Sequence, residues 1–335
     1  MATDNAPHPE LGAPVAESVS AGAHAADAGH HEAADEAHDP LAAETLMHHV
    51  QDADYFHLPR AFSRQTDGKI YIPQIRPSKE AIIEVKTGFA PIDNLIEPLN
   101  LQITKFMVLE VVAALLLMAL FIPLAQRLKS GARPRGRLTN LLEAMVLFIR
   151  DQVARPTIGR QDGDRFAPFL LSIFFFVLVC NLLGLVPWAG SPTASLATTG
   201  TLALITFLAV VVSGSIKLGP VGFWVGQVPH MDLPLLIHIP IFLLVFVLEA
   251  LGLAIKHFVL AMRLLANMVA GHIVLAVLVA FIGASAGSLA FYGVVPASVL
   301  GSVALNMLEL FVAFLQAYIF AFLSGLFIGM AVHPH

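Results

Sequence analysis

Charge is scarce in this chain. Only 13% of its 335 residues are Asp, Glu, Lys or Arg, about half the ~25% usual in soluble domains, whereas 57% are hydrophobic and the mean hydropathy is +0.76. That composition argues against a soluble enzyme. The single cysteine, Cys180, excludes an intrachain disulfide and, inside an apolar run, reads as a packing residue. No Gly-rich loop ending in Gly-Lys-Ser/Thr is present, so nothing in the chain is built to cradle nucleotide phosphates. Basic residues are missing from the start: residues 1–57 hold eleven acidic residues and no Lys or Arg, and Arg60 is the first base. An Arg-rich transit peptide is thereby excluded. Because the first long apolar run begins near Phe106, no secretory signal is expected either. No internal repeat is visible.

What is there divides in two. Residues 1–60 are rich in Ala, His and acid, with eight histidines (His8, His24, His30, His31, His38, His48, His49 and His57), and read as a disordered, solvated tail. The histidine spacing is irregular and defines no metal site. Residues 61–104 read as a small extramembrane segment, with Lys69-Ile-Tyr-Ile-Pro73 as a short strand. From 105 to 335 the pattern is that of a membrane domain. A spanning helix needs about 20 apolar residues, and five stretches qualify, at 106–125, 166–188, 195–216, 234–283 and 291–332. Behind the first lie Arg127, Lys129, Arg133, Arg135 and Arg137, with no acid among them, which marks a cytoplasmic end and puts the N-terminus outside. Leu138, Leu141, Leu142, Met145, Val146 and Ile149 recur at three- and four-residue spacing, predicting an amphipathic surface helix over 137–153 closed by Pro156. The last two stretches exceed one crossing. Each is either a steep hairpin or one long, strongly tilted helix, and the lack of Pro between Ile241 and Phe281 favours the second. The expected fold is therefore an all-α membrane protein of about five membrane helices plus one surface helix.

Between Phe166 and His335 the charged residues are Lys217, Asp232, Glu249, Lys256, Arg263 and Glu309. Ionisable groups in hydrocarbon cost about 2.5–3.5 kcal/mol each on insertion scales, and mark function by default. Glu249, Lys256 and Arg263 are spaced by seven and share one helical face within about 40°, with Asn267 on the same side. Glu309 and Gln316 share a face of the last helix. If the two long segments pair antiparallel about a turn at 287–292, His272 meets Glu309 at one level and Arg263 meets Gln316 about two turns deeper. His272 and Glu309 can exchange protons near neutral pH. Arg263 stays charged, has no carboxylate of this chain at its own level, and so calls for one from another subunit. Blander readings exist: a buried structural pair, a snorkelling Lys256, or polar side chains gluing helices together.

Leu260-Ala-Met-Arg-Leu-Leu-Ala-Asn267-Met-Val-Ala-Gly-His272 resembles the signature of subunit a of F-type ATP synthases, whose core is R-L-x-x-N-x-x-A-G-(E/H). Lys129-Ser-Gly, Asn181-Leu-Leu-Gly-Leu-Val-Pro187, the Thr-rich stretch 193–201 and Glu309-Leu-Phe-Val-Ala-Phe-Leu-Gln316 are similar to further segments of that family. The resemblance covers roughly residues 104–335. It implies a stator protein of the bacterial inner membrane, N-terminus periplasmic and C-terminus cytoplasmic, facing the rotating ring of c subunits and held by b subunits. Arg263 matches the arginine that meets the ring carboxylate and blocks a proton short circuit. Asn267, His272, Glu309 and Gln316 match the outer half-channel, and Glu249 the cytoplasmic one. Some members carry Glu at the place of His272 and His at that of Glu309; here the two are exchanged. Gly184 departs from members with Asp there. No cofactor, metal, nucleotide or nucleic acid is implied. The alternatives are a proton-coupled secondary transporter, which calls for repeated halves and broken helices, and a structural scaffold, which calls for tolerance of Arg263→Gln.

Overall fold

The computed structural model describes residues 53, 55–57, 69–73, 103–129, 136–186, 189–228 and 235–333. Most of the expected tail and extramembrane segment, with Arg133, Arg135 and Asp232, lies outside them. The described part of the N-terminal region is a two-stranded antiparallel ribbon, β1 (Tyr55–His57) against β2 (Lys69–Tyr71), in the register Tyr55↔Tyr71. β2 falls on the expected strand. β1 lies within the stretch 1–60, where the aromatic pair Tyr55-Phe56 suits a strand. The ribbon is tied to the membrane domain where the Lys105 N–H donates to the Ala53 carbonyl at 2.9 Å.

Among the described residues, five helices are long and apolar enough to cross a membrane. α1 spans Lys105–Lys129. α2 (Arg137–Phe148) runs into a π-helical turn (Ile149–Ala154) and α3 (Arg155–Ile158), then α4 (Arg160–Gly184) follows. A 3₁₀ turn (Pro192–Ala194) precedes α5 (Leu196–Leu218), and a short α6 (Pro220–Gly226) comes before α7 (Leu235–Ala284) and α8 (Phe291–Val332). The surface helix thus does not stop at Pro156. Proline lacks the N–H for an i→i−4 bond and crowds that carbonyl, and the wider π turn just before it takes up the misfit. The helical path ends instead at Gly159, whose φ of 101° a side chain rarely adopts. Leu142, Ile149, Val153, Ala154 and Ile158 face inward, whereas Leu138 and Leu141 of the expected stripe are exposed. α4 starts at Arg160, ahead of the expected 166, because its polar first turns lie outside the apolar run.

α7 and α8 are single unbroken helices of 50 and 42 residues. At 1.5 Å per residue they are about 75 and 63 Å long, against roughly 30 Å of hydrocarbon. Pro240 and Pro296 fall at the sixth position of their helices, where each removes a single i→i−4 hydrogen bond near the helix start without breaking the helix. The steep-hairpin alternative is thereby ruled out.

α8 packs on α4, α5 and α7. Its contact stripe is a ladder of small residues every four positions, Ala313, Ala317, Ala321, Gly325 and Gly329, all buried. Small residues let helix backbones approach closely where lipid offers no hydrophobic drive to association. A Cβ at Gly325 would stand 2.8 Å from Thr157 Oγ1, and one at Gly329 would overlap the Thr157 carbonyl. At this end of the bundle the charges pair. Arg155 grips Asp164 with two bonds of 2.8 and 3.0 Å and reaches Asp151 at 2.8 Å. Arg150, hydrogen-bonded beside it, holds the Asp151 carboxyl below the usual range. Lys217 and His333 meet at Asp162, joining the start of α4 to the ends of α5 and α8.

Candidate functional site

The α7–α8 pair is antiparallel about residues 285–290, with Gly287 at φ 85°. Two contacts set its register. Gly271 on α7 lies against Glu309 on α8, so closely that a Cβ at 271 would overlap Glu309 Oε1 and stand 2.9 Å from its Cδ. Nearer the turn, a Cβ at Gly301 would lie 3.6 Å from Leu278. His272 and Glu309 therefore share a level, as do Arg263 and Gln316.

The details differ from a simple pair. The His272 ring lies within electrostatic reach of the Glu309 carboxylate but forms no ion pair with it. Its Nδ1–H donates to the Met268 carbonyl one turn earlier, at 2.9 Å, which leaves Nε2 as the nitrogen free to take a proton. Glu309 is half-buried, and its Oε1 is sealed from solvent without a hydrogen-bond partner among the described residues. A buried, unpaired carboxylate oxygen is costly unless a proton or water reaches it. Gln316 is buried at 6% exposure, and no hydrogen bond joins it to Arg263 among the described residues.

Arg263 is half-buried and makes no hydrogen bond or ion pair with any described residue. Lys256 and Asn267, on the same face of α7, are exposed, and Glu249 is half-buried further along. The surrounding apolar side chains Leu248, Leu251, Ile255 and Val259 are exposed as well. So are Val303, Met307, Leu308 and Phe311 on α8. Among the described residues, none covers the face that carries the permanent cation.

Next to it lies a polar network reaching α8 from the other helices. Asn181 of α4, fully buried, accepts from Thr193 Oγ1 at 2.7 Å and donates to the Ala313 carbonyl at 3.4 Å, and Ser191 bonds Thr193 at 2.7 Å. A Cβ at Gly184 would meet Ser191 at 2.6 Å, so a larger residue there would push this turn away. The Asn181 motif is therefore a helix tie, built on hydrogen bonds that apolar surroundings make hard to replace.

Three features escaped sequence reasoning. Gly271 provides the clearance for Glu309. Glu110, inside α1, accepts a 2.6 Å bond from Thr198 of α5. His257, only 3% exposed between the rings of Phe207 and Phe327, donates Nδ1–H to the Leu253 carbonyl and keeps Nε2 unpartnered. A carboxylate and an imidazole in apolar runs were signal enough for suspicion; which helix each one faces was not legible.

A family model described as the ATP synthase A chain matches residues 107–329. A Myxococcus xanthus protein named ATP synthase subunit a is 45% identical over 242 residues, covering 71% of this chain and 76% of that one. An Anaeromyxobacter protein of the same name is 37% identical over 320 residues, 90% of this chain and 73% of its own length. One from Chloroherpeton thalassium is 36% identical over 298 residues, 88% and 78% respectively.

Proposed function

This chain belongs to the ATP synthase A chain family, and from that premise we propose that it is the proton-conducting stator subunit of an F-type ATP synthase. Two offset half-channels lead to a carboxylate on each c subunit of the rotor, so that proton flow drives rotation and ATP synthesis. The observation that carries this reading is Arg263: a permanent cation on a helix face left uncovered by the described residues, without a counter-ion among them. Such a charge in hydrocarbon is tolerable when a partner carboxylate meets it. The exposed apolar faces of α7 and α8 supply the surface on which the ring turns. Their lengths call for strong tilt, which lays them along the ring rather than straight across the bilayer.

In this mechanism a proton enters from the outside along His272 and Glu309, with Asn267 and Gln316 lining the way, and neutralises a ring carboxylate. Neutral, that carboxylate leaves the field of Arg263 and turns into lipid at small desolvation cost. After nearly a full rotation it arrives on the Glu249 side and releases its proton, because Arg263 again favours the charged form. The fixed charge of Arg263 keeps a proton from passing straight between the half-channels. Each charge crossing 100 mV is worth about 2.3 kcal/mol, so several must pass per ATP. The chain binds no nucleotide and is no enzyme alone; the b subunits of the peripheral stalk hold it still. It is a multi-pass protein of the bacterial inner membrane. Lys129, Arg155, Lys217 and the C-terminus lie on the cytoplasmic side, the N-terminus in the periplasm.

The test is ATP-driven proton pumping in membrane vesicles carrying Arg263→Gln or Arg263→Ala, with assembly followed by blotting for the c and b subunits. Pumping is lost in an assembled complex. Retained pumping would move the chain to the scaffold reading.

A further inference from the structure

We propose that Glu110 is the outermost proton-carrying carboxylate of the path that ends at Glu309, an inference that rests on the function proposed above. Glu110 is the one carboxylate within α1, where an ionised group is costly and needs a reason. It is half-buried and does not face lipid alone: the Thr198 hydroxyl of α5 donates to its Oε1 at 2.6 Å. Thr198 stands in the first turn of α5, five residues after Thr193, whose hydroxyl donates to Asn181 of α4. From Asn181 the polar groups continue in one direction. Thr193 and Ser191 are bonded behind it, and its amide reaches the Ala313 carbonyl of α8. On α8, Ala313 lies between Glu309, four residues before, and Gln316, three residues after, so all three share a face. A tract of hydroxyl, amide and carboxylate groups thus crosses α1, α5, α4 and α8 through otherwise apolar packing. Its two ends are titratable: Glu110 near the start of α1, and Glu309 beside His272.

An O–H bond of an aqueous hydronium breaks as one forms on the Glu110 carboxylate. Passing the proton on towards Glu309 breaks that bond, forms one at the next acceptor and regenerates the carboxylate, with no change of oxidation state. Lys105, on the same helix and over the Phe106 ring at 5.0 Å, marks the mouth at the end where β1 and β2 attach. Thr198 positions the carboxylate without carrying net charge.

The experiment uses the assembled complex in vesicles stripped of the catalytic sector, where passive proton conductance under an imposed potential is read per complex. Glu110→Gln keeps the shape and still accepts from Thr198, but cannot exchange a proton. It lowers conductance at least about tenfold, in keeping with the loss of a proton-transferring group. Glu110→Asp retains most of it, and Thr198→Val, which keeps the carboxylate, lowers it by less than Gln does. Wild-type conductance in Glu110→Gln overturns the relay. If Glu110→Gln and Thr198→Val both reduce assembly while conductance per complex is unchanged, the pair is a structural tie and the relay is again overturned. Arg263→Ala, assayed alongside for ATP-driven pumping, separates the two claims. If pumping survives that change, the proposed function falls. If it is abolished while Glu110→Gln conducts normally, only the role of Glu110 is lost.

Discussion

Gly271→Ala adds one methyl group at the place where α7 and α8 come closest to the chemistry. A Cβ there would fall inside contact distance of Glu309 Oε1, 2.9 Å from Cδ and 3.2 Å from Cγ. The carboxylate has no polar pocket in which to take refuge, since Oε1 is already buried without a partner among the described residues. Either Glu309 leaves its rotamer or the helices part. Overpacking of this kind costs about 1–3 kcal/mol, and a displacement of about 1 Å at reacting groups can slow a step roughly a hundredfold. ATP-driven pumping in inverted vesicles is therefore expected to fall roughly ten- to a hundredfold, with the complex still assembled. Glu309→Asp in the same background withdraws the carboxylate by one methylene and restores part of the rate, with a coupling of about 0.5–3 kcal/mol between the two sites. Wild-type pumping by Gly271→Ala, or strictly additive effects of the two changes, would refute the close approach as the reason for glycine here.

Asn181→Leu removes the acceptor of the buried Thr193 hydroxyl, which keeps Ser191 alone as a partner, and the donor to the Ala313 carbonyl, at about 1–3 kcal/mol. The half-time for heat inactivation of the detergent-solubilised complex is expected to shorten several-fold, and an unchanged half-time would contradict the tie. His257→Phe exchanges an imidazole with an orphaned nitrogen for a third ring among Phe207 and Phe327. Pumping should stay within about twofold of wild type, because removing an unpaired buried polar atom is neutral or stabilising. A tenfold loss would show that Nε2 carries protons.

Run length and charge scarcity were sufficient for the five spans, and seven-residue spacing for the face shared by Glu249, Lys256 and Arg263. Distance from the turn was sufficient for the common level of His272 and Glu309, though the two make no ion pair. These are one-dimensional consequences of helix geometry: in lipid the backbone must satisfy its own hydrogen bonds, so a long apolar run has little choice but helix. Even the register of the last two helices followed, because a short turn ties sequence distance to height. The continuous course of α2 through Pro156 did not, since the π turn that accommodates it is an adjustment of backbone register rather than a residue preference. Nor did the partners of Asn181, Glu110 and His257. Each lies on a helix whose rotation about its axis is decided by the small-residue ladder of α8 and the helices packed into it. Close packing between segments distant in the chain chooses which polar group meets which, and that choice made the crowded Gly271 and the bond from Thr198 to Glu110 visible.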